Sequence, residues 1–434
     1  MREILFAEKD TCRVCGHELI PTLSLASIYV SDFLSENERA NEKYPLDLVL
    51  CEQSSGGCGL LQLKHTVSPE KLYRNYWYKS GVNKTMILEL EEIAATAESL
   101  SKPKPGDFII DIGANDGTLL RGYSSRDVHF VGFEPAVNLV EDAKIGGAEI
   151  INNFFNYEDW FRRYGEKKAK IITAIAMFYD LDEPNIFVRD IKKVLDEDGV
   201  FIIQMSYLPL MLEKNAFDNI CHEHIEYYSL LSLENLLQRH SLEVFDVVIN
   251  DVNGGSFRIY IKHKNLGNNI QVRDGSQERI LSMREKEKKL GLDKKAAYHD
   301  FADRVNKIKD KINSFVQNEV LAGKTFFVYG ASTKGNTLLQ FCGLDRNVIE
   351  FAADRNPDKW GKRTVGTEIP IISEKEARSK NPDYFLVLPW HFLKEFKERE
   401  MNYFLAGGKF LMPLPDPRII FFDKDKNSFS EVLL

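Results

Sequence analysis

Between residues 107 and 206 the apolar positions fall into short unbroken runs that alternate with stretches of helical spacing. Such alternation predicts strands buried on both faces and joined by helices, the pattern of a parallel α/β sheet. The first run, Phe108–Ile112 in DFIIDIGANDGTLL, leads through Gly113–Gly117 into a helix, and HFVGFEP follows as a second strand ending at Glu134. A strand in KIITAIAMFYDL, a helix in NIFVRDIKKVL and a strand in DEDGVFIIQMS continue the plan. In that helix Ile186, Val188, Ile191 and Val194/Leu195 share a face and should meet the sheet, with Asp198-Gly199 turning the chain into the next strand. Ser232 is the expected N-cap of a helix over SLENLLQRH, with Asn235 three residues on.

The pattern changes near Ser276, where charge rises and an apolar stripe recurs at Ile280, Leu281, Met283, Phe301, Val305, Ile308, Ile312 and Val316. It predicts a helical connector. Beyond it FFVYGASTKGNTLL repeats the strand–turn–helix plan, NVIEFAADRNP supplies a strand ending at Asp354, and FLVLPW another. The chain therefore divides into a small module over 1–75, a Rossmann-like α/β domain over 76–270, a helical linker over 271–320 and a second Rossmann-like α/β domain over 321–434.

Composition narrows the class. Of 434 residues 44% are hydrophobic, enough for packed cores, and the net charge of -8 argues against a protein that coats nucleic acid. No apolar run is long enough to span a bilayer, and six cysteines are too few for a disulfide scaffold, so the expectation is a reduced, cytoplasmic protein with no nucleic-acid or membrane partner. Four of those cysteines form two glycine-tailed pairs: Cys12-Arg-Val-Cys15-Gly16, and Cys51 with Cys58-Gly59. The six-residue gap of the second pair is wide, but Ser-Ser-Gly-Gly can loop out. Cys12, Cys15, Cys51 and Cys58 are thus the expected ligands of one structural Zn²⁺ with no open position.

The turn after the first strand carries the chemistry of a ligand site, because open α/β sheets bind ligands at the carboxyl ends of their strands. Its D-x-G-x-x-x-G spacing puts Asp111, Gly113, Asn115, Asp116 and Gly117 at the turn, and Glu134 is placed to accept ribose hydroxyls. Acid at Asp116 would repel a pyrophosphate, whereas a sulfonium with an amino group suits these carboxylates. The pattern matches the S-adenosylmethionine turn of class I methyltransferases. Met177 and Phe178 lie at a strand's ligand-side end as further cofactor candidates, with Tyr179 beside them on the substrate side.

The densest titratable stretch is NICHEHIEYYS, residues 219–229. It is H-E-H rather than the H-E-x-x-H of a zinc protease helix, so an acid–base centre near the cofactor site is the favoured reading over a metal site or an idle loop. In the C-terminal repeat, Ser332, Lys334 and Asn336 at a helix start and Arg355 after its second strand favour an anionic ligand over NAD at Asp354. Pro389-Trp390-His391 lies at another strand's carboxyl edge and is either pocket lining or an anchored turn.

Together these segments resemble the sugar C-methyltransferases of deoxysugar biosynthesis, and the resemblance runs nearly end to end: the cysteine module, DIGANDGT, HEHIEYYS, VYGASTKGNTLLQ, FAADRNPDKWG and LPWHF. It implies methylation by S-adenosylmethionine at C3 of a nucleotide-linked (dTDP or GDP) 4-keto-deoxysugar; separately from the resemblance, a monomer is expected. It also implies His224 as the base that forms an enolate, Glu223 as its helper, His222 as a substrate neighbour, and Tyr78 of YWYKSGVNKTM near the reacting sugar. One departure stands out: the residue before H-E-H is Tyr in the family and Cys221 here. That hydroxyl's part is played otherwise or is not needed for this substrate. Two other readings stay open at this point. One is a methyltransferase for another small molecule or RNA, the other a non-catalytic zinc-stabilised nucleotide-binding module.

Overall fold

The computed structural model describes residues 6–434 apart from Asn41, Asn75 and Asn268. Buried runs of Ile, Val and Phe form the central sheet from β1 (Phe108–Ile112), β2 (His129–Phe133), β3 (Glu149–Ile151), β4 (Ala169–Ile175), β5 (Leu195–Ser206), β6 (Leu242–Asn250) and β7 (Ser256–His263). Their order is β6-β7-β5-β4-β1-β2-β3, and β7 is antiparallel to both neighbours. The order reverses between β1 and β4, which opens a crevice at their carboxyl ends. Asp198-Gly199 lies inside β5, where pairing with β4 jumps from Leu195 to Val200, so it is a bulge rather than a connecting turn.

A second seven-stranded sheet fills the C-terminal part. Its order is Ile371–Ser373, Phe351–Asp354, Phe326–Tyr329, Tyr384–Val387, Lys409–Met412, Arg418–Asp423 and Ser428–Leu433. The first five strands are parallel and the last two antiparallel. The strand order of this sheet reverses too, between Phe326–Tyr329 and Tyr384–Val387, and its carboxyl ends face those of the central sheet across one cavity.

The N-terminal module joins the two. Its antiparallel strands Ile20–Tyr29, Lys43–Leu50 and Leu61–Leu63 gain a fourth, Glu226–Tyr227, donated by the H-E-H segment. Its short strand Phe33–Leu34 pairs with Arg363–Thr364 of the C-terminal part. Leu25, Leu46 and Leu48 share a core with Val305 and Ile312 of the helix Lys295–Leu321. The other connector helix, Ser276–Lys289, packs instead on β6. The connector is thus two helices, one in each domain's outer layer. Two of the expected apolar contacts fail: Leu281 is 54% and Ile186 47% exposed, and Phe187 takes the buried place beside Val188. No described helix is long and apolar enough to cross a membrane.

Arg13, inside the cysteine turn, fastens this junction. It donates to Gln62 Oε1 (3.0 Å), Leu63 O (2.5 Å), Thr66 Oγ1 (2.7 Å) and Asp182 Oδ1 (3.1 Å), the last in the loop after β4. Removing this buried cation takes a donor from all four; Gln62 Oε1 keeps the residue-13 N–H and Asp182 Oδ1 keeps the Thr66 hydroxyl, while Leu63 O and Thr66 Oγ1 lose theirs. Arg13→Ala should therefore cost about 3 kcal/mol or more in denaturant unfolding; an unchanged midpoint would show that the junction is held elsewhere.

Candidate active site

The cavity between the sheets has a volume of about 670 Å³. At its inner end the β1 turn bends through left-handed backbone at Gly113 (φ 72°), Asn115 (φ 52°) and Gly117 (φ 76°). Glu134, closing β2, accepts the Asn115 N–H and the Ala136 N–H at 2.7 Å each, so it holds the turn while its carboxylate stays at the cavity wall. Burial raises its pKa to about 7, against the pull of those N–H groups. Asp111 is likewise raised to about 7 by burial, with the Thr173 hydroxyl at 2.7 Å opposing. Met177 lines the same end, where its side chain would lie 3.2 Å from a Cβ at Gly113.

Three of the expected cofactor contacts lie elsewhere. Asp116 turns from the cavity: it accepts from the Thr118 hydroxyl at 2.6 Å and the Gly81 N–H at 2.7 Å. Gly117 is off the cavity too, because a Cβ there would sit 2.6 Å from the Ala143 carbonyl of a neighbouring helix. Phe178 is fully buried among Phe187, Phe201 and Tyr228, as a core aromatic.

The strap that carries Tyr78 crosses this turn. Asn115 donates to Tyr78 O at 3.0 Å and accepts from Ser80 N–H at 2.9 Å, so Tyr78 and Ser80 form part of the wall. Opposite, the H-E-H segment is held by its own backbone. Ile225 N–H donates to Tyr179 O (3.0 Å), and Ile225 O accepts Leu63 N–H (2.8 Å).

His224 Nδ1 lies 2.9 Å from the Asn219 carbonyl. A carbonyl only accepts, so Nδ1 carries the proton and Nε2 keeps its lone pair, with no protein partner among the described residues. The ring packs edge-on to Tyr179, at 4.4 Å between centroids. Burial, then the Lys334 cation, lowers its pKa to about 3, so the imidazole is neutral.

Glu223 lines the cavity but makes no hydrogen bond to His224; the ring is oriented by Asn219. Its Oε2 is buried without a partner, and burial raises its pKa. His222 points the other way, to Tyr44 O at 3.2 Å, and belongs to the N-terminal module's packing rather than to the substrate side. Cys221 lines the cavity with its thiol near Asn219 O.

From the C-terminal domain, Ser332 caps the helix Thr333–Cys342 and lines the cavity with Lys334, Pro389 and His391. Trp390 is the anchor of that turn, its Nε1 donating to Asp218 Oδ2 at 2.9 Å. Two expected ligands of an anion lie off the cavity. Asn336 is buried against Asp32 O (3.2 Å), tying the helix to the N-terminal module. Arg355 is exposed beside Glu395. Asp180, at the ligand-side end of its strand, lines the cavity as its position suggests; Asn219, Asp218 and Tyr76 also line or frame the site without a sequence signal of their own, and Asn219 opens the H-E-H stretch, yet an amide gives no titration signal.

Away from the cavity Cys12, Cys15, Cys51 and Cys58 bring their sulfurs within 4.8 Å of one another, with Cys12–Cys58 at 3.5 Å and Cys15–Cys51 at 3.3 Å. Tetrahedral Zn–S bonds of about 2.3 Å need sulfur spacings only slightly larger. The wide gap closes because Gly57 lies over Cys51, where a Cβ would stand 2.6 Å from Sγ. The donor set fits a structural Zn²⁺. At the cavity's inner end the described lining has buried carboxylates and no Lys or Arg, which fits a cationic adenosyl ligand and not a pyrophosphate.

The strand order and this turn define a class I, S-adenosylmethionine-dependent methyltransferase. Family models match in three consecutive stretches: a zinc binding domain over residues 12–73, a methyltransferase domain over 82–247 and a C-methyltransferase C-terminal domain over 251–415. C-methyltransferase NovU of Streptomyces niveus is 31% identical over 418 residues, covering 95% of this chain and 97% of that protein. Two solved methyltransferase structures match over about two-fifths of this chain. Mitomycin 7-O-methyltransferase MmcR is 15% identical with a TM-score of 0.34, over 42% of this chain and 55% of that one. Magnesium protoporphyrin IX methyltransferase of Synechocystis PCC 6803 is 10% identical with a TM-score of 0.31, over 41% and 79%. The chain belongs to the C-methyltransferase family of NovU.

Two outcomes follow. Purified protein should hold one zinc per chain by metal analysis, and Cys58→Ser should lose both the metal and thermal stability. Glu134→Ala should weaken S-adenosylhomocysteine by about 1.5–3 kcal/mol in calorimetry; unchanged affinity would remove Glu134 from the cofactor site.

Proposed function

We propose that the enzyme methylates C3 of a nucleotide-linked 4-keto-deoxysugar after deprotonating that carbon. The observation that carries this reading is His224: a neutral imidazole whose Nε2 has no partner among the described residues, in the cavity that also holds the cofactor turn. Carbon beside a ketone is acidic because the anion delocalises onto oxygen, so a neutral base can serve when charge at that oxygen is stabilised. S-adenosylmethionine supplies the electrophilic methyl group. Tyr78 and Tyr179 wall the reacting region, and Tyr78 has a hydroxyl to offer the sugar. The nucleoside diphosphate, dTDP or GDP, extends along the C-terminal sheet edge past Ser332, Pro389 and His391.

Proton exchange tests the base. With S-adenosylhomocysteine bound, the enzyme should exchange the C3 hydrogen of a dTDP-4-keto sugar with deuterated water. His224→Ala should slow exchange about 10²–10⁴-fold, and His222→Ala should keep most of it. Loss in His222→Ala alone would move the base one turn of the segment away.

The pH profile gives a second check. A base works when unprotonated, so a group with pKa lowered to about 3 stays active as pH falls through the ordinary histidine range. The kcat/KM for exchange should show no acid limb near pH 6.5. A limb there would mean that His224 titrates as an ordinary exposed histidine.

A further inference from the structure

Lys334 comes from the C-terminal domain, yet its ammonium stands in the reaction cleft. Its Nζ donates to Asn219 Oδ1 at 2.5 Å, and Asn219 O is the acceptor that orients His224. One residue therefore registers both groups, through its side chain and its backbone. Asp180, Asp218 and Cys221 face Lys334, as do His224 and His391, but no carboxylate pairs with it within 4.0 Å among the described residues. An ammonium has three donors, and among the described residues only one is used. Burial draws its pKa below the ordinary lysine value, while Asp218, Cys221 and Asp180 act the other way.

A diphosphate is a poor occupant of this position. Lys334 is the one Lys or Arg in the described lining, and a diphosphate's several charges call for more than one cation. A neutral ketone that acquires one negative charge only at the transition state suits a lone, partly satisfied cation better.

We propose that Lys334 is a catalytic residue that donates a hydrogen bond to the C4 oxygen of the sugar as negative charge builds there. The claim rests on the 4-keto reading above. His224 Nε2 takes the C3 proton, the C3–H electron pair becomes the C3–C4 π bond, and the carbonyl π pair moves to O4. Lys334 keeps its protons throughout, and nothing is oxidised or reduced. The base and the counter-charge thus belong to different domains, and the site is complete only when both domains close on Asn219.

The test compares Lys334→Gln and Lys334→Arg with the unmodified enzyme in three assays: S-adenosylhomocysteine affinity, dTDP affinity, and C3 hydrogen exchange at saturating dTDP-4-keto sugar. Lys334→Gln should slow exchange about 10²–10³-fold with both affinities unchanged. Lys334→Arg, which keeps the charge, should recover part of the rate. The proposal is overturned if Lys334→Gln loses about tenfold or more in dTDP affinity while exchange at saturation persists, the signature of a diphosphate ligand. It is also overturned if all three measurements are unchanged. Absence of exchange in the unmodified enzyme would instead remove the 4-keto reading, and this role with it.

Discussion

Ile225 is hydrogen-bonded through both its backbone groups, to Tyr179 at the end of β4 on one side and to Leu63 of the cysteine module on the other. The neighbouring pair Glu226–Tyr227 continues the second contact as a strand of the module's own sheet. His224 is therefore placed by main-chain hydrogen bonds that cannot form unless the N-terminal module is folded against the central sheet. A buried main-chain group without a partner is costly, so the arrangement has one low-energy register. The role of zinc follows. The four cysteines lie off the cavity, and a zinc among them would hold the turn from which Arg13 reaches Leu63, the residue bonded to Ile225 of the H-E-H segment.

The electrostatics divide along the cavity. The inner end offers Asp111 and Glu134 with no Lys or Arg among its described lining, an environment for a cation. The outer end has Lys334 among Asp180, Asp218 and Glu223, several of whose oxygens lack protein partners. Unpartnered buried acceptors are expensive in an isolated protein and are places where a ligand's hydroxyl or N–H groups can be received. Burial keeps His224 neutral, and the cation beside it works in the same direction. In the proposed reaction a neutral base at His224 and a cation at Lys334 are complementary parts of one deprotonation.

What could be read from the chain was set by local physics. The β1 run, its glycine turn, Glu134 twenty or so residues on and the two cysteine pairs all answer to short-range rules, and each element forms where the pattern puts it. The failures are tertiary. Ser232 has the look of an N-cap, but Ser229 caps the helix, with Ser232 as its reciprocal partner three residues later. His222 and His224 are two apart in one polar segment, and only the fold sends one into the cavity and the other to Tyr44. Asp116 and Asn336 have ligand-like positions in sequence, but they hydrogen-bond to neighbouring segments of the chain. Lys334 belongs by sequence to the helix start of its own domain, and the sequence cannot show that the two sheets share one crevice.

The central claim is that one cavity, built by all three parts of the chain, places a methyl group on carbon. The most direct measurement is the structure of the product. Incubation with S-adenosyl-[methyl-¹³C]methionine and a dTDP-4-keto-6-deoxysugar, followed by NMR, should show a labelled methyl bonded to C3 and loss of the H3 resonance. A labelled methyl on oxygen or nitrogen, or on any other carbon of the sugar, would contradict the account.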